Sequence, residues 1–138
     1  MNQTVEKPVT KIGKALAKKI YKEAHQAGLA AGEACRPTPM VVGTPTTVLG
    51  NDIDFSKPTY FVPSGVCGFA WINISPARGA FVNYLKSINA GHKGYYGGYE
   101  VWVSGFGQSY EQKIAYAHAF AQVCQAYGIN AYGSGRLD

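Results

Sequence analysis

The order of apolar patterns along these 138 residues predicts an α+β fold. We expect an N-terminal amphipathic helix followed by a two-layer β-β-α-β-α-β core around a small mixed sheet. Apolar side chains spaced three or four residues apart indicate the first helix. Two further helical patterns alternate with runs of β-branched and aromatic residues, which favours helices packed on one face of a sheet. The predicted strands are 59–62, 67–74, 99–103 and 129–132.

Length and composition indicate one compact domain, preceded by a helix and a connector. A chain of 138 residues with 46% hydrophobic content can bury one sizeable core and is too short for two domains of usual size. We divide it into a basic N-terminal helix (1–35), a proline-rich connector (36–58) and an α+β core domain (59–138). Short edge pairings are expected in the connector at 40–42 and 46–49.

The N-terminal helix, predicted over 10–34, combines an apolar stripe with a lysine face. Residues 1–36 carry seven basic and three acidic side chains, so most of the net charge of +5 lies there. The lysine face is either solvated or a surface for nucleic acid, an acidic partner or an anionic membrane. Gly28 and Gly32 permit a close approach of another backbone. We therefore expect this helix to pack on a second helix, of its own chain or of a neighbour, and predict a homo-oligomer through it.

The run 67–74 alternates aromatic and aliphatic side chains. Phe69 and Trp71 fall on one face and Ile72 and Ile74 on the other, so the aliphatic face is the better core candidate. A Pro-Ser-Gly turn separates this run from 59–62, which predicts a hairpin.

Helix signals follow at Ser75 and Ser109. Ser75 precedes Pro76 as an N-cap precedes a first-turn proline, and Ser109 with Gln112 fits a capping box. Arg78 then falls in the first turn of its helix, where it would gain most from a carboxylate or phosphate nearby. The helix that begins at Ser75 is predicted to bury Phe81, Val82, Leu85 and Ile88. The helix that begins at Ser109 is predicted to span 109–127 and to end at Gly128.

The segment 91–110 is the candidate binding region. It holds six of the chain's 17 glycines, which let the backbone approach a bound group, together with cations and flat rings. This combination suits a ligand with a phosphate and a ring, although tight connections and core aromatics would give the same pattern. The site residues converge only if Arg78, the loop at Gly91, Ser109 after the second glycine loop, and the C-terminus meet at one end of the sheet. The candidate ligand-binding residues are Arg78, His92, Lys93, Tyr95, Tyr96, Trp102, Gln108, Ser109 and Arg136.

The sequence predicts no enzyme. No local signature of nucleophilic catalysis is present, and Cys67 with His92 or His118 is the least implausible pairing of a nucleophile and a base. Three widely spaced cysteines form no C-x-x-C pair, which argues against a zinc site and for reduced thiols. We therefore predict no catalytic residue, no metal and no cofactor. No secretory signal or membrane span is recognised, so the expected location is cytoplasmic.

Four stretches resemble a widespread family of small tailed-phage proteins. They are Gly-Val-Cys-Gly-Phe-Ala-Trp-Ile-Asn-Ile (65–74), Lys-Gly-Tyr-Tyr-Gly-Gly (93–98), Gln-Ser-Tyr-Glu-Gln-Lys-Ile-Ala-Tyr-Ala (108–117) and Ser-Gly-Arg-Leu-Asp (134–138). The resemblance covers 59–138 and, more loosely, the N-terminal helix and its connector. It implies a viral origin and a location in the host cytoplasm during infection. It assigns no role to any residue.

Three functions remain open. The leading expectation is binding of a phosphate-containing ligand. In its most specific version, the protein is a phage sponge that sequesters a (cyclic) nucleotide signal of bacterial immunity and so acts against host defence. The alternatives are binding of single-stranded nucleic acid, which needs stacking platforms and a basic groove, and inhibition of a host defence protein through an aromatic interface.

Overall fold

The computed structural model describes residues 11–47 and 52–138, and within these ranges the chain forms three helices and six strands. Residues 1–10 of the N-terminal segment and residues 48 and 49 of the expected connector pairing lie outside the described residues. The elements are α1 (Lys14–Ala34), β1 (Met40–Val42), β2 (Tyr60–Val62), β3 (Gly68–Ile74), α2 (Ala80–Ser87), β4 (His92–Lys93), β5 (Tyr99–Trp102), α3 (Tyr110–Ala126) and β6 (Ala131–Leu137).

The main sheet has the strand order β4-β5-β3-β6. Each helical connection skips one strand: α2 leads from β3 past β5 to β4, and α3 leads from β5 past β3 to β6. The core is therefore a split β-α-β arrangement of the ferredoxin-like kind. The predicted α+β class is confirmed. The sheet is antiparallel rather than mixed in every described pairing, because the parallel strands joined by a helix are never neighbours.

The core lies between the helices and the aliphatic face of β3. Ala70 and Ile72 are fully buried there, together with Leu85 from α2 and Phe120 from α3. Ile20 brings α1 into the same core, through contacts of α1 with α3 and α2. The predicted division of β3 into an aliphatic core face and an aromatic face is confirmed.

Helix α1 packs on α3 through its glycines, as the small-residue spacing predicts. A Cβ on Gly28 would lie 2.6 Å from the ring of Tyr116 in α3, and one on Gly32 would overlap the ring of Phe106 in the loop that leads into α3. The Gln112 side chain also donates to the Gly32 carbonyl at 3.1 Å. The partner of this helix face is thus a helix of the same chain. A homo-oligomer, which stays a prediction, would need another surface.

The predicted hairpin between 59–62 and 67–74 is wrong. Strand β2 pairs with β1 in a separate two-stranded sheet, which confirms the expected pairing at 40–42. Strand β3 is the central strand of the main sheet and has both edges occupied, by β5 and β6. No edge of β3 is left for β2.

The predicted start of the α2 helix is also wrong. The Ser75 N–H donates to the Asn130 carbonyl at 3.0 Å, so Ser75 extends the sheet, and the N-cap of α2 is Gly79. Arg78 consequently precedes the helix instead of lying in its first turn. Ile88, predicted to be buried, is 39% exposed because it follows the last helical turn.

The start and end of α3 are confirmed. The Ser109 side chain caps the helix by accepting the Gln112 N–H at 3.3 Å. Gly128 follows the helix with φ +83°, a conformation that favours glycine.

Strand β6 runs five residues beyond its predicted end, to Leu137. Its Gly-Ser-Gly sequence is typical of a flexible tail, yet the glycines have a packing role. A Cβ on Gly133 would lie 2.9 Å from His118 Nδ1, and one on Gly135 would lie 2.7 Å from the Phe69 carbonyl oxygen. Close contact with α3 and β3 therefore selects glycine within a strand.

Replacing Gly28 by alanine tests the α1–α3 contact. Crowding against Tyr116 should cost about 1–3 kcal/mol, which outweighs the roughly 1 kcal/mol that alanine gains over glycine inside a helix. We expect Gly28→Ala to lower the free energy of unfolding in urea titrations. An increase, as at an open helical position, would show that Tyr116 does not pack against Gly28.

Candidate functional site

The sheet has an open face on the side opposite its helix-packed core. Residues directly opposite each other in neighbouring strands share a face, so the pairing of Trp71 with Trp102 and of Phe69 with Arg136 identifies its members. No helix or strand of the described chain packs on it. The open face consists of Phe69, Trp71, Asn73, His92, Glu100, Trp102, Tyr132, Ser134 and Arg136.

Aromatic rings dominate the centre of the open face. The indoles of Trp71 and Trp102 are stacked, with ring centroids 4.8 Å apart and planes within 19° of each other. Phe69 lies 5.8 Å from Trp102, and the imidazole of His92 lies 6.4 Å from it. Trp102 remains 37% exposed. The centre of the face therefore presents a continuous aromatic surface with an accessible indole.

Polar groups hold these rings in place. The Trp102 Nε1–H donates to Glu100 Oε1 at 3.0 Å, and His92 Nε2 lies 3.6 Å from the same oxygen. The guanidinium carbon of Arg136 lies 5.5 Å from the Phe69 ring centroid. Lys113 Nζ approaches the same ring at 5.5 Å while donating to the Gly68 carbonyl at 3.1 Å. Arg136 thus borders the aromatic surface beside β6, whereas Lys113 is buried, and the Glu100 carboxylate fixes the orientation of Trp102.

Three of the predicted site residues, His92, Trp102 and Arg136, lie together on the open face. Tyr95 and Tyr96 lie in the turn between β4 and β5 and are 89% and 95% exposed. This turn borders the open face, because Asn73 Nδ2 donates to the Gly97 carbonyl at 3.3 Å. Lys93 is exposed on β4, where it pairs with Tyr99.

Ser109 and Gln108 lie at the opposite end of the sheet. Ser109 forms an isolated antiparallel bridge with Cys67, next to the start of β3, whereas the β4–β5 turn contacts Asn73 near its end. Six residues of strand separate Cys67 from Asn73, or about 20 Å at roughly 3.3 Å per residue. The expectation that both glycine loops line one cavity is therefore wrong. Ser109 is fully buried and its hydroxyl caps α3.

Arg78 lies apart from the open face, beside a cavity of about 770 Å³. The cavity is bordered by the start of α2 and by the segment that joins α3 to β6, and Lys11 is its second cation. Arg78 and Arg136 thus belong to two separate surfaces.

No family profile, curated protein or solved structure matches the chain. The resemblance to small tailed-phage proteins accordingly stays a prediction. Across residues 11–47 and 52–138, no helix is long and apolar enough to cross a bilayer. The same ranges hold no group of three or more His, Cys, Asp or Glu residues that could bind a metal ion.

The pairing of a thiol nucleophile with a histidine base is not formed in the described residues. Burial raises the pKa of the Cys124 thiol to about 12, so this thiol stays protonated at neutral pH. In the part of the chain that the structure describes, no hydrogen bond joins Cys67 to His92 or His118. The arrangement of the open face is suited to stacking flat groups.

The sequence-based site omits Phe69, Trp71 and Glu100, which complete the open face. The alternation within β3 indicates its aromatic side, so Phe69 and Trp71 are detectable from the sequence. Glu100 is not, because its role depends on the pairing of β5 with β3 and β4. Asn73 belongs to the same alternation as Phe69 and Trp71, whereas Tyr132 and Ser134 are missed for the same reason as Glu100.

Circular dichroism tests the stacking of the two indoles. Trp71 and Trp102 are the chain's two tryptophans, so their close stacking should produce an exciton couplet. We expect Trp71→Phe and Trp102→Phe each to abolish the whole couplet. A loss of half the aromatic signal in each variant would mean that the rings do not interact.

Proposed function

We propose that this chain is a non-enzymatic protein that binds nucleobases and their phosphates on the open face, with single-stranded nucleic acid as its ligand. The observation that carries the proposal is the stacked Trp71–Trp102 pair beside Phe69 on an uncovered sheet face. A stacked base contributes about 1–3 kcal/mol to binding whatever its identity, because every base has a flat π-face.

The shape of the open face favours a strand over a free nucleotide. Small-ligand sites are typically concave and bury about 70–90% of the ligand, whereas this surface is the open side of a sheet. Single strands bind such surfaces by laying successive bases on exposed rings. Phe69 and Trp71 lie two residues apart on β3, and Trp102 lies beside Trp71, so the rings form a short track for neighbouring bases.

Charge on the open face is compatible with a polyanion at one edge. Arg136 lies beside Phe69 and provides a guanidinium for a phosphate. Glu100 would repel phosphates, but its second oxygen, Oε2, suits an amino group on a base edge. We therefore place phosphates along β6 and base edges near β5.

A second candidate is sequestration of a (cyclic) nucleotide signal, which the cavity beside Arg78 favours. Its volume of about 770 Å³ accommodates a nucleotide, and Lys11 and Arg78 provide two cations. Under the predicted phage origin, this candidate corresponds to an anti-defence sponge.

Replacing Trp102 by alanine tests stacking on the open face. Fluorescence anisotropy with labelled single-stranded RNA and DNA should show affinity about 5- to 150-fold weaker than that of the unchanged protein, the equivalent of about 1–3 kcal/mol. Tyr60→Ala is the matched control, since Tyr60 is an exposed aromatic outside the open face. Equal losses in both variants, or no binding of any single strand at low salt, would contradict the proposal. If no single strand binds, a bacterial lysate protein that stays bound to this chain after nuclease treatment would favour the alternative of a host-protein inhibitor.

Two arginine variants distinguish the two surfaces. Arg136→Ala should weaken binding of the single strand and reduce the slope of log K against log salt by about 0.7, the effect of one lost phosphate contact. Arg78→Ala should leave both unchanged. Calorimetry with cyclic dinucleotides tests the second candidate. A heat of binding that disappears only in Arg78→Ala would assign the ligand to the cavity and reject the open face.

A further inference from the structure

The outer edge of β6 carries backbone hydrogen-bonding groups directed away from the sheet. Asp138 N–H donates to the Cys67 carbonyl, and Ser75 N–H donates to the Asn130 carbonyl, both at 3.0 Å. These bonds fix which residues of the β6 segment face β3: the even-numbered ones. The odd-numbered residues therefore direct N–H and C=O groups outward.

Three of these outward residues make no described hydrogen bond to the rest of the chain. Gln125 Nε2 donates to the Ala131 carbonyl at 2.6 Å, but no such partner is described for Gly133, Gly135 or Leu137. They leave three donors and three acceptors in a regular row. An antiparallel strand with the same spacing would satisfy all six groups.

The β6 edge also lacks the features that normally prevent pairing. Its register with β3 is continuous over seven residues, without proline or a bulge, and Arg136 is its single charged residue. Natural sheets protect exposed edges with charges, prolines, bulges or very short strands. Strand β4, at the other edge, is only two residues long and is protected in this way.

We propose that two copies of this chain pair through their β6 strands, in antiparallel orientation about a two-fold axis at Gly135. Gly135 then pairs with its own copy, and Gly133 pairs with Leu137 of the partner subunit, in both directions. All six groups on each chain are satisfied.

The position of α3 favours a second copy over a bare peptide. Helix α3 contacts both β3 and β6, and a Cβ on Gly133 would lie 3.0 Å from the Ala117 carbonyl carbon, so α3 lies close over the edge strand. A two-fold axis beside β6 would therefore bring the α3 helices of the two copies next to each other on the same side of the combined sheet. A second copy therefore supplies helix packing in addition to strand pairing.

Pairing through β6 would join two open faces in one eight-stranded sheet. Arg136 would lie opposite Ser134 of the partner subunit, at the centre of the combined surface. Each copy would thus complete the other's cationic border, and dimerisation follows from the β6 edge whether or not the proposed ligand is correct.

Analytical ultracentrifugation of the full chain should give the mass of two 14.8 kDa subunits. Leu137→Pro removes an outward N–H without removing a bond to β3, and should yield monomers. Leu137→Ala, which loses the side chain and keeps the N–H, should remain dimeric. A monomeric full chain, or a dimer that survives in Leu137→Pro, would overturn the proposal.

Hydrogen exchange of the unaltered protein provides a test that does not depend on variants. The amides of Gly133, Gly135 and Leu137 should exchange slowly at high protein concentration and faster on dilution. Protection of all three that is independent of concentration would indicate that a segment of the same chain covers the edge, and would reject the dimer.

Discussion

The burial of Ile72 at the centre of β3 is the constraint on which the rest of the structure depends. Strand β3 pairs on both edges, so its alternation determines the face of every neighbouring residue. A shift of one residue would expose Ile72 and bury Trp71. The core and the open face are thus two consequences of one register, because the side chains that cannot enter the core form the aromatic surface.

Close packing of the helices has a second consequence. Glycines in α1 admit the rings of Tyr116 and Phe106, and glycines in β6 admit α3. In α1 the glycine face is therefore occupied by residues of the same chain. In β6 the glycines lie in an edge strand, which directs backbone groups away from the sheet. The same requirement for glycine thus operates in a helix and in a strand.

The sequence predicts the elements better than their arrangement. Local signals were sufficient for the Ser109 cap, the Gly128 stop and the two-faced character of β3, since each depends on a few adjacent residues. The partner of β2 and the length of β6 depend on contacts across the fold. Local sequence does not reveal such contacts, so both predictions were wrong. Ser75 resembles an N-cap, but its N–H is bonded to Asn130, at the far end of the chain.

The candidate site was predictable only in part for the same reason. Trp102, His92 and Arg136 were identified by residue type, but their grouping with Trp71 comes from strand pairing. Glycine content suggested that the two glycine loops belong to one site, whereas they lie at opposite ends of the sheet. Conformational freedom of the backbone indicates where a loop can bend and not which loops meet.

A nuclear magnetic resonance titration with an unlabelled single-stranded oligonucleotide tests the role of the open face most directly. We expect shifts of the Trp71 and Trp102 indole N–H signals and of the Arg136 amide, with Arg78 unaffected. Shifts confined to the cavity that holds Arg78, or a spectrum unchanged by oligonucleotide at low salt, would contradict it.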